Sequence, residues 1–80
     1  MNFIKISYDS DENGKNSRQK YINLDNVFDY WAYTDFGYHC IAFKSIDGYT
    51  LNVMFLDKAR RDSTLDAINK IIECKVLEVE

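Results

Sequence analysis

The chain has no proline, three glycines and two cysteines in 80 residues, and each scarcity narrows what it can be. With no proline- or glycine-rich stretch there is no linker, so residues 1–80 read as one domain. Cys40 and Cys74 do not form a closely spaced pair, which excludes a zinc ribbon or a CxxC redox motif. Two reduced, apolar thiols are expected, with a disulfide as the alternative. No apolar run is long enough to span a bilayer and no charged-then-apolar leader opens the sequence, so a cytoplasmic protein without a membrane partner is expected. Excess positive charge is missing too: a formal net charge of −3 gives no electrostatic drive toward nucleic acid.

What the chain has in quantity is aromatic rings: six tyrosines, five phenylalanines and one tryptophan, enough for a core in a domain near the lower size limit. The proline-free composition, rich in Asn, Lys, Ile and Tyr, resembles that of low-GC bacteria or their phages.

Hydrophobic periodicity sets out the elements. Residues 3–8 alternate, with Ile4, Ile6 and Tyr8 on one side, and predict a first strand. Residues 9–18 carry no apolar side chain and form a solvated loop. A second strand runs over residues 19–24 until Asp25-Asn26 breaks it; residues 27–34 give a third. From Lys58 to about Glu73 the period becomes helical, with Leu65, Ile68 and Ile72 on one stripe beside Ile71. Asp57 is the expected cap and Ser63 the rival start. Lys58, Arg60 and Arg61 then sit at the unfavourable, positive end of the helix. Residues 76–79 could supply a last short strand. The order implies an α+β domain: an antiparallel sheet of four to five strands, a β-meander, packed against one carboxyl-terminal helix.

Residues 38–56 decide which side chains are core. Around Asp47-Gly48, a three-residue loop with Gly48 left-handed pairs Phe43 with Leu51, Ile41 with Val53 and His39 with Phe55. It collects the apolar residues on one face, whereas a two-residue turn would scatter them. Similar loop chemistry at Asp35-Phe36-Gly37 pairs Trp31 with Ile41 and Tyr33 with His39, which brings Asp29 uncomfortably opposite Phe43 and requires that the strand fray or bulge before Tyr30 or that Asp29 lie at a solvated edge. The other face would then carry Phe28, Tyr30, Tyr38, Met54 and Leu56 around a small centre of Cys40 and Ala42. These five aromatic and apolar residues are the expected partner-binding surface, since such side chains are enriched at interfaces.

The remaining motifs are weak. Residues 9–14, Asp-Ser-Asp-Glu-Asn-Gly, match the opening of a calcium loop, but Lys20 stands where a bidentate glutamate is required. His39 and Cys40, adjacent on a strand, point to opposite faces and cannot exchange a proton. Asp35-Phe36-Gly37 is a turn, since the chain is far too short for a kinase. No metal, cofactor or catalytic set is therefore expected. The reading is a small, non-enzymatic interaction module that binds another protein or itself. A phage or mobile-element inhibitor or adaptor is one concrete version. Single-stranded nucleic acid stacking on the same aromatic face is the alternative, weakened by the acidic charge.

Overall fold

The computed structural model describes residues 3–9 and 17–73. Five strands, β1 (Phe3–Asp9), β2 (Ser17–Asn23), β3 (Val27–Asp35), β4 (Tyr38–Ser45) and β5 (Thr50–Phe55), precede one helix, α1 (Lys58–Glu73). They form one antiparallel sheet in the order β2-β1-β5-β4-β3, backed by the carboxyl-terminal helix, an α+β domain. The meander holds for β3–β4–β5. The β1–β2 hairpin joins it through the single described bridge Asp9–Met54 between β1 and β5. Residues 76–79 and Cys74 lie outside the described residues.

A short connector shapes this sheet. β2 and β3 occupy opposite edges, yet only a 3-10 turn, Leu24–Asn26, joins them. In a flat sheet those edges would stand roughly 19 Å apart, at about 4.8 Å per strand spacing. The steps from Asn23 to Val27 reach at most about 14 Å. The sheet therefore curls, bringing Ile6 and Ile22 of the hairpin against Ile41, Phe43, Val53 and Phe55 of the meander, with Ile68 of α1 completing the core. The strand breaks at Asp25-Asn26 as expected, with the Asn23 side chain as the cap: it accepts from the Asp25 amide, and the Asn26 carbonyl accepts from the Ile46 amide at 2.9 Å.

The β4–β5 register is the one with the bulged loop. Phe43 faces Leu51, Ile41 faces Val53 and His39 faces Phe55. Gly48 is left-handed at φ +94°, and its amide donates to the Ser45 carbonyl at 3.0 Å.

The β3–β4 register differs by one residue from the sequence expectation. Asp35 pairs with Tyr38, leaving a two-residue turn in which Phe36 (φ +48°) and Gly37 (φ +81°) are both left-handed, the type I′ pattern. A one-residue slip exchanges the faces of β3. Tyr30 now lies over Phe43, their rings stacked at 6.3 Å, and Trp31 and Tyr33 face outward. Asp29 moves off Phe43 to sit opposite Lys44. The discomfort of Asp29 in the other register was the sequence signal for this one. A bulge between Val27 and Asp29 then returns Val27 to the core side.

Candidate functional site

The structure divides the five residues expected to form one docking face. Tyr30 is on the helix side, where its hydroxyl donates to the Asn69 side chain. Burial first, then the carboxylates of Glu73 and Asp29, push that hydroxyl above the usual tyrosine range. Phe28 belongs to the β3 bulge and is largely exposed. Tyr38 and Met54 remain on the outer face, with Leu56 just past the end of β5, and all three are half-buried. The β3 part of the expected face is thus corrected. Trp31 and Tyr33 replace Phe28 and Tyr30 because the shorter turn shifts the strand by one residue.

That outer face is roofed by its own side chains. Tyr33 on β3 donates to Asn52 Oδ1 on β5 at 2.9 Å, reaching across the whole width of β4. The span covers the small centre, which explains why Cys40 and Ala42 are buried on the side away from the helix. Burial, followed by hydrogen bonding to the Cys40 thiol, raises the Tyr33 hydroxyl above its ordinary range. β4 is consequently buried on both faces through four consecutive residues, Cys40 to Phe43.

A more open apolar surface gathers at one end of the molecule. There a groove of about 370 Å³ runs between the end of β2 and the β4–β5 hairpin. Ile22, Val27, Phe43 and Leu51 supply its apolar lining, and Tyr21 and Tyr49 stand beside them with 66% and 78% of their surfaces exposed. Asn23, Asn26, Ser45 and Thr50 add neutral polar groups, and no lining side chain is charged at neutral pH. Phe28 (72% exposed) and Ile46 (68%) are chain neighbours of the lining residues Val27 and Ser45, but neither side chain lines the groove. Isolated exposed hydrophobic residues are ordinary, but two exposed rings lining one apolar groove are a candidate interaction surface. Its volume falls within the range of ligand clefts. Nothing local in the sequence marked it. Tyr21 and Tyr49 line one groove because the sheet curls.

A second, smaller groove of about 270 Å³ lies between β1 and α1, with Phe3 and Ile71 at its rim.

The charged groups noted in the sequence have structural partners. Asp57 caps α1, its side chain accepting from the Ala59 amide at 3.0 Å. Asp9, the first residue of the calcium-like loop, accepts from the Leu56 amide and from Arg60, both at 2.9 Å; residues 10–14 of that loop lie outside the described residues. Burial acts to raise the Asp9 pKa, but the Leu56 amide and the Arg60 guanidinium outweigh it and hold the carboxyl below the ordinary 3.8. A depressed carboxyl stabilises the fold fully above its unfolded pKa and loses that contribution as pH falls through the folded value. Asp9→Asn is therefore expected to cost about 1–3 kcal/mol at pH 7. The deficit should shrink as the wild type is acidified below about pH 4, as read by urea denaturation at several pH values. A constant deficit down to the acid transition would contradict the pairing.

Arg61 is buried and donates to the carbonyls of Tyr33 (3.0 Å) and Cys40 (3.4 Å) and to Asp62 Oδ1 (2.7 Å). His39 meets the Thr34 hydroxyl at 3.3 Å, and Cys40 lies on the opposite face. Among the described residues no cluster of three His, Cys, Asp or Glu side chains could hold a metal ion. No described helix is long and apolar enough to cross a membrane. Comparison with family models, curated proteins and solved structures returns no match for this chain.

Proposed function

We propose that this protein is a small, non-enzymatic interaction module that docks through the groove end rather than the outer sheet face. The observation that carries the reading is an uncharged, apolar-floored groove flanked by the exposed rings of Tyr21 and Tyr49. Interface cores are depleted in charge and rich in Tyr and Phe, and binding energy concentrates in a few such anchors. The side chain that fits is aromatic or aliphatic and uncharged, because a charge placed on that floor would find no partner. The outer face suits docking less well, since the Tyr33–Asn52 span already covers its centre. Single-strand binding also loses support: Arg60 and Arg61, two of the three cations at the start of α1, are engaged by Asp9, Asp62 and backbone carbonyls.

The test is titration with a neutral aromatic probe, N-acetyl-L-phenylalaninamide, against wild type, Tyr49→Ala and Met54→Ala. Tyr49→Ala is expected to weaken binding at least about fivefold, as an anchor should. Met54→Ala is expected to leave it within about twofold. Equal losses in both variants, or no binding to the wild type, would refute the groove as the docking site.

A further inference from the structure

Phe36 is the least economical residue in the fold. It is 92% exposed, so its ring gains nothing from the core, and its φ of +48° puts a bulky L-residue in the left-handed region. That conformation is unfavourable for a residue with a Cβ, and type I′ turns strongly prefer Asn-Gly here over Phe-Gly. Two costs with no return inside the molecule point to a role outside it.

The nearest chemical complement is in the same chain, at the other end. The groove has an apolar floor, aromatic sides and no charged lining residue, and it is open enough for a phenyl ring. The Phe36 turn is correspondingly bare: between Tyr30 and Phe43 the only full charge is Asp35, beside the ring. Lys5, which lines the second groove, lies 6.0 Å over the ring of Tyr21, a lining residue of this one, so a cation stands one residue away from the groove to complement that carboxylate. The turn cannot reach its own groove. β4 separates the β3–β4 turn from the β4–β5 hairpin by eight residues, roughly 26 Å at strand rise.

We infer that Phe36 is a docking knob whose receptor is the Tyr21–Tyr49 groove of a second copy, giving head-to-tail association. This rests on the groove being a docking site and adds the identity of one occupant. Such a contact is heterologous, so it extends into chains unless the rotation happens to close. A single knob buries little surface, so association should set in at roughly micromolar to millimolar concentration.

The experiment is sedimentation equilibrium across that range on wild type, Phe36→Asn, Tyr49→Ala and an equimolar mixture of the two variants. Wild type is expected to rise above the 9.4 kDa monomer mass with concentration. Phe36→Asn alone should stay monomeric because it lacks the knob, and Tyr49→Ala alone should need at least about fivefold more protein to associate because it lacks one anchor of the groove. The mixture should stop at a heterodimer, with the intact knob of Tyr49→Ala in the intact groove of Phe36→Asn. Phe36→Asn should also melt several degrees higher, since the strain of the turn is relieved. A wild type that is monomeric throughout, a Phe36→Asn variant that associates like wild type, or a mixture that forms no heterodimer would each overturn the inference. If the aromatic probe still binds the groove in that event, the docking reading stands and only the occupant is wrong.

Discussion

Phe55→Ala is expected to remove about 3–5 kcal/mol of stability, measured as a shift of the urea midpoint at unchanged slope. Phe55 is fully buried and belongs to the cluster that unites hairpin, meander and helix. Its ring also lies 5.4 Å beneath the Arg60 guanidinium, so truncation opens a cavity and removes a cation–π contact together. A domain of this size holds in total roughly 4–12 kcal/mol, at about 0.05–0.15 per residue. The variant should therefore populate the unfolded state appreciably at 37 °C. Phe55→Leu keeps most of the volume and should cost only about 1–2 kcal/mol. A loss below about 1 kcal/mol for the alanine variant would contradict this core.

Arg61→Ala is the second large effect, expected at about 2–4 kcal/mol. Arg61 stands in the first turn of α1, where the helix dipole disfavours a cation, and it is nevertheless buried. Its bonds to the carbonyls of Tyr33 and Cys40 fasten the start of the helix to the β3–β4 ladder, and Asp62 offsets its charge. Alanine leaves those carbonyls without this donor and a void where the stem packed. Arg61→Lys should recover less than half of the loss, because an ammonium cannot reproduce the planar fork across three acceptors. Denaturation of the two variants side by side checks this. An alanine variant within about 0.5 kcal/mol of wild type would show that the contacts add nothing beyond solvation.

Where pattern and local chemistry agreed, the sequence was a sound guide. Alternation placed Ile4, Ile6 and Tyr8 on the buried side, Asp57 capped the helix, and segregation of apolar residues chose the bulged hairpin at Gly48. The β3–β4 turn escaped because its register depends on Phe36 accepting a strained backbone, which residue preference argues against. That slip carried Tyr30 to the helix and put Trp31 and Tyr33 outside, so the expected docking face changed along one strand while staying aromatic. The groove was invisible for a different reason. It joins residues from β2, the 3-10 turn and the β4–β5 hairpin, and only the curl forced by the short connector assembles them. None of the five residues first expected to bind a partner lines this groove; Phe28 is only the chain neighbour of the lining residue Val27.

The most direct measurement is a map of backbone amide shifts in the ¹⁵N-labelled wild type during titration with N-acetyl-L-phenylalaninamide. The groove account predicts saturable shifts concentrated at Ile22, Asn26, Thr50 and Leu51, with Cys40, Asn52 and Met54 still. Shifts concentrated at Cys40, Asn52 and Met54 instead would return the docking surface to the outer sheet face and contradict it.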